Sequence, residues 1–159
     1  YLKDKKPALS NEQPLQRMQQ MFMEWWPKQK FIVKAIELPL YSPKYDRAGC
    51  LDIIVTKKAW NGKLALMDFK TSKDFYSDQP TQLVTYKSFL EESTDYKISK
   101  LAIVNIPKDP NRNISMWALN MKHESKYFKA FRCAMYLEKI DKFFNKQKKE
   151  YKKKEGRDV

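Results

Sequence analysis

A mixed α/β fold, with a mixed β-sheet flanked by α-helices, is what this 159-residue sequence predicts. Three observations carry that reading. Short apolar, β-prone runs recur at 51–56, 64–69, 101–106 and 114–119. Longer segments with apolar residues at helical spacing precede, separate and follow them. The strongest turn signal, Asn61-Gly62, falls between two of the β-prone runs, as a hairpin requires.

The elements follow in order. Ser10 with Gln13 three residues later resembles a capping box. Leu15, Met18, Phe22 and Trp25 then recur at helical spacing, so a helix is expected over 11–25 with Pro27 ending it. Phe31 to Leu38 reads as a strand, and Pro39 and Pro43 are expected to bracket a loop. Leu51 to Thr56 and Leu64 to Phe69 form the hairpin around Asn61-Gly62. Asp78 with Pro80 starts a helix that runs to about Glu92. Strands over 101–106 and 114–119 are separated by the loop containing Asp109 and Pro110. From Glu124 a long helix carries Tyr127, Phe131, Ala134, Leu137 and Ile140 on one face, and is expected to fray after Gln147. The predicted order is α-β-β-β-α-β-β-α, in one domain over 1–147 with a lysine-rich, disordered tail over 148–159.

Composition narrows the function classes. Lysine and arginine number 32 against 19 acids, a formal charge of +13. Residues 142–159 account for +5 of it, eight cations against three acids, and the rest is spread through the body. Such a surplus suits a polyanion, although a solubilising surface explains it too. No apolar run approaches the 18 residues of a membrane span, so no membrane is expected, and no signal peptide is visible. Cys50 and Cys133 lie far apart in no metal-binding pattern, which fits a reducing cytoplasm and no secretion. A single histidine, His123, excludes multi-histidine metal sites.

Two acids stand in costly places. Asp52 interrupts the apolar run from Leu51 to Val55, and Asp68 ends the run from Leu64 to Met67, with Lys70 two residues on. A carboxylate in a buried strand needs a partner. Strand alternation puts Asp68 and Lys70 on one face, and the partner strand brings Asp52 close. Two carboxylates beside an ammonium suit Mg²⁺ or Mn²⁺, since hard cations prefer oxygen ligands. A lone Asp-x-Lys is more often a plain salt bridge. Here it has company.

Gly49-Cys50-Leu51-Asp52, then Asp68-Phe69-Lys70-Thr71-Ser72-Lys73, then Gln82-Leu83-Val84-Thr85-Tyr86, resemble the RecB-like branch of the PD-(D/E)xK nuclease superfamily. That branch includes bacterial recombination nucleases and many phage nucleases. In it a G-x-x-D strand, a D/E-x-K-T strand and a Q-x-x-x-Y helix follow in this order. The resemblance covers roughly residues 31–90. It implies a restriction-endonuclease-like fold and metal-dependent hydrolysis of DNA, with an exonuclease favoured over an endonuclease. It implies metal ligation by Asp52, Asp68 and the main-chain carbonyl of Phe69, with Lys70 as the catalytic lysine. It further implies DNA contacts or active-site bracing by Gln82 and Tyr86, which share a helix face at a spacing of four, and a DNA contact by Lys73. Gly49 is expected to serve the backbone shape before the strand.

Glu37, inside the apolar run before these motifs, matches a glutamate that several relatives place there. It is a candidate added ligand or catalytic residue, or it pairs with a lysine such as Lys34. One departure concerns the histidine that many relatives carry on an upstream helix. His123 lies far downstream, and the chain opens at Tyr1 rather than Met, so that helix either precedes this sequence or is dispensed with. Trp25, Trp26 and the tail lysines are further candidates to grip DNA. A phage or prophage origin fits the style of the motifs. Two other readings remain: a nuclease-fold module that binds DNA or protein without cleaving, and a basic structural domain.

Overall fold

The computed structural model describes residues 13–109, 111–154 and 156. The elements are α1 (Gln13–Gln29), β1 (Ile32–Ser42), β2 (Arg47–Thr56), β3 (Leu64–Lys70), α2 (Asp78–Ser93), β4 (Ile98–Asn105), β5 (Ser115–Ala118) and α3 (Glu124–Lys154). Short 3₁₀ turns precede β3 and α3. The five strands form one sheet in sequence order, β1-β2-β3-β4-β5. All neighbours are antiparallel except β3 and β4. The fold is therefore the expected mixed α/β sheet flanked by helices.

The parallel pair explains the placement of the middle helix. Parallel neighbours need a crossover, and α2 is that crossover. It begins beyond the C-terminal end of β3, where Asp68 and Lys70 lie, and runs back across the sheet. Leu83, Val84, Phe89 and Leu90 bury its inner face against Leu51, Ile54, Leu66, Leu101 and Ile103. The first part of α3 joins the same side, where Phe128 and Phe131 meet Tyr45, which stacks on Phe89 at 6.0 Å. The opposite sheet face, formed by Ile53, Val55, Ala65, Met67 and Val104, is covered by Trp25 and Trp26 of α1, with Phe31, Trp60 and Phe69.

Several sequence expectations change. The capping residue Ser10 lies outside the described residues. Pro27 does not end α1, which continues to Gln29. A proline there removes one intrahelical N–H in the last turn, and Lys30, at φ 54°, closes the end by donating its N–H to the Pro27 carbonyl at 3.2 Å. Pro39 does not start a loop. It lies within β1, paired with Cys50, and is tolerated because β1 is an edge strand.

The β2–β3 connection is longer than a two-residue hairpin, yet Asn61 (φ 49°) and Gly62 (φ 80°) do form its tight turn, closed by the Lys63 N–H on the Trp60 carbonyl at 3.0 Å. The helix α3 runs to Lys154 rather than fraying after Gln147. From Tyr136 onward it exposes Tyr136, Leu137, Ile140, Phe143, Phe144 and Tyr151. Among the described residues no helix is long and apolar enough to cross a membrane. Both cysteines are free and exposed.

Candidate active site

Asp68 is the penultimate-but-one residue of β3 and is buried to 3% exposure on the face that α2 covers. The β2–β3 register pairs Ile53 with Met67, and one further step sets Asp52 opposite Asp68. There the ladder between the two strands ends. The Phe69 N–H donates to Asp52 Oδ2 at 2.7 Å, so a side chain replaces the main-chain acceptor. The N–H and C=O of one strand residue point to the same side. The Phe69 carbonyl therefore lies on the edge that Asp52 occupies.

The buried Asp68 Oδ2 meets Lys70 Nζ at 2.7 Å as an ion pair. Burial pushes the Asp68 carboxyl above the ordinary carboxylate range, and the charge of nearby Asp52 pushes the same way. The Lys70 ammonium opposes both without overcoming them. Lys70 Nζ also donates to Gln82 Oε1 at 2.8 Å, and Gln82 Nε2 donates to the Tyr86 hydroxyl at 2.9 Å. A continuous polar chain thus runs from Asp68 through Lys70 and Gln82 to Tyr86, joining β3 to two turns of α2.

Gly49 completes the arrangement for a reason the sequence did not reveal. Its φ is not in the left-handed region, so backbone shape does not require glycine. A Cβ at this position would lie 2.5 Å from Tyr86 Cε1 and 3.1 Å from Cζ. The missing side chain makes room for the tyrosine ring that ends the polar chain.

Other candidates sit apart. Glu37 occupies the β1 position opposite Asp52 in register, with φ 47°, and it is exposed. It does not join the aspartates: among the described residues no group of three His, Cys, Asp or Glu side chains converges as a metal site. Lys73 is exposed on the loop after β3, and its carbonyl accepts from the Arg112 guanidinium. Trp26 is half-buried and packs on Phe22 at 5.4 Å, Phe31 at 5.2 Å and Phe69 at 6.3 Å, and Trp25 shares that cluster. His123 ends the 3₁₀ turn before α3 and is exposed.

One residue went unnoticed in the sequence. Asn105 ends β4 beside Lys70, is 1% exposed, and has its Oδ1 buried without a hydrogen bond. The signal was the same as for Asp68, a polar residue closing an apolar run.

The donor set available to a cation is all oxygen: the Asp52 and Asp68 carboxylates and the Phe69 carbonyl. Two carboxylates close enough for the charge of Asp52 to raise the Asp68 carboxyl are what a bound cation would offset, and so short a set suits a hard ion that keeps several of its waters. The residues present fit such an ion. Compared with models of known protein families and with characterised proteins, the chain matches none.

Proposed function

We propose that this chain is a metal-dependent deoxyribonuclease domain of the RecB-like PD-(D/E)xK type, an exonuclease in preference to an endonuclease. The observation that carries the reading is the single connected site of Asp52, Asp68, Lys70, Gln82 and Tyr86, drawn from three elements in the order of the motifs. A salt bridge placed only for stability would need neither the charge of Asp52 beside it nor the Gln82–Tyr86 chain behind it.

In this reading Asp52, Asp68 and the Phe69 carbonyl would hold Mg²⁺ or Mn²⁺. Such an ion, when bound, neutralises phosphate charge and lowers the pKa of a coordinated water. Lys70 stands next to the carboxylates, where its ammonium stabilises charge building on the phosphoryl oxygens and orients the attacking water. Gln82 holds Lys70 in that direction, and Tyr86 holds Gln82. Lys73, on the exposed loop, draws in the phosphate backbone, as does the +13 charge of the chain. Action in the cytoplasm of a bacterial or phage-infected cell suits two free, exposed cysteines.

The test is incubation with end-labelled linear DNA and with circular DNA, in Mg²⁺, Mn²⁺ or EDTA. Metal-dependent loss of end label with circles intact is the expected result, abolished by Asp68→Asn. A second reading is favoured by one observation, the convergence of only two carboxylates among the described residues. It is a nuclease-fold module that binds DNA without cutting. DNA binding with no cleavage in any metal supports that reading and refutes the first.

A further inference from the structure

We infer that a second site, in front of β5, stacks unpaired bases of single-stranded DNA. Phe75, Tyr76, Pro80, Met116, Trp117 and Tyr127 line an open pocket of about 580 Å³, within the size range of small-ligand sites. Tyr76 is 51% exposed, Met116 45% and Trp117 37%, while Phe75 braces Trp117 at 5.6 Å with the rings at 61°. Aromatic faces left open to solvent, Trp117 on the edge strand and Tyr76 on the loop before α2, contribute little to the core. They offer π-surfaces to a flat partner.

Charge and register say what that partner is. Lys73 and Arg112 sit on the two loops at this end of the sheet and are tied together through the Lys73 carbonyl. Two acids of those loops, Asp74 and Asp109, turn their carboxylates onto main-chain N–H groups of Phe75 and Asn111. Cations beside open aromatic rings are the pairing that single-stranded nucleic acid requires, phosphate on one and base on the other. The register adds direction. Asp68 pairs with Ile103, and Ile103 with Trp117, so the buried aspartate and the exposed tryptophan share one row on one sheet face. Two strand spacings separate them, about 10 Å between backbones. A strand whose phosphate reaches Asp68 therefore has bases within reach of Trp117.

The inference rests on the proposed DNA substrate but not on cleavage, so its test omits divalent ions. Fluorescence anisotropy in EDTA would follow a single-stranded oligonucleotide, a duplex, and an abasic oligonucleotide of equal charge. Stacking is worth about 1–3 kcal/mol per base, so Trp117→Ala should weaken single-strand binding about 5- to 150-fold with duplex binding little changed. Trp117→Phe should restore most of it, and Tyr76→Ala, at a more exposed position, should give a smaller loss in a folded protein. Equal wild-type affinity for the normal and abasic strands overturns the inference without relying on any variant. So does unchanged single-strand binding in Trp117→Ala, which would leave the pocket to a protein segment. Trp117-dependent binding without cleavage in Mg²⁺ or Mn²⁺ would sustain this site while refuting the nuclease reading.

Discussion

Gly49→Ala adds one methyl group, and the structure says where it goes. The new Cβ would sit 2.5 Å from Tyr86 Cε1, 3.1 Å from Cζ and 3.3 Å from Cδ1. Carbon atoms pack comfortably at about 3.5–4.0 Å, so the ring must retreat by about 1 Å or more. The contact is with the flank of an aromatic ring rather than the tip of a flexible chain, and the ring's hydroxyl is held by Gln82 at 2.9 Å. Overpacking of this kind costs about 1–3 kcal/mol. At about 2–4 °C per kcal/mol for a chain of this size, Tm should fall by about 2–12 °C.

The functional effect should be larger than the stability effect. A retreating Tyr86 releases Gln82, and Gln82 orients Lys70. Misplacement by about 1 Å can reduce turnover about 100-fold. The assay is thermal denaturation together with kcat and KM on end-labelled DNA. Adding Tyr86→Leu should recover part of the Tm, because it removes the ring that clashes, but none of the activity, because it also removes the hydroxyl. Wild-type Tm and wild-type turnover in Gly49→Ala would refute the argument that glycine is there to admit Tyr86.

Lys70→Ala should leave DNA affinity within a few-fold of wild type and reduce kcat by orders of magnitude, since its contribution belongs to the transition state; wild-type cleavage would make Lys70 structural. Asp68 supplies a pH prediction. Its carboxyl is raised in the fold, chiefly by burial, so the stability linked to it is complete below the ordinary aspartate range and is lost as pH rises through the raised value. Without divalent ions, Asp68→Asn should therefore gain Tm relative to wild type between acid and neutral pH, and a pH-independent difference in melting would contradict this. Added Mg²⁺ should narrow that gap by stabilising only the wild type. DNA affinity should fall steeply with salt, and removing residues 148–159, which carry six cations and three acids, should flatten the slope with little change in Tm; an unaltered slope would take the end of α3 off the DNA path.

What the sequence determined by itself was local. An aspartate inside an apolar run is visible without a fold, because burying an unpartnered carboxylate is costly anywhere. Strand alternation then put Asp68 and Lys70 on one face, and helical spacing put Gln82 and Tyr86 on another. Element order followed from periodicity for the same reason, since each element's pattern is written in adjacent residues. What depended on neighbours distant in the chain was decided by the tertiary structure. Pro39 stays in a strand because β1 is an edge, a property of sheet order rather than of residues 32–42. Gly49 is small because α2 crosses above it and lays Tyr86 against its Cα. Trp26 is half-buried because Phe31 and Phe69 come to it from two other parts of the chain. Trp117 lines up with Asp68 only through the parallel register of β3 and β4, which no turn signal encodes. Patterns within a segment report which side a residue faces, whereas packing between segments settles what it meets there.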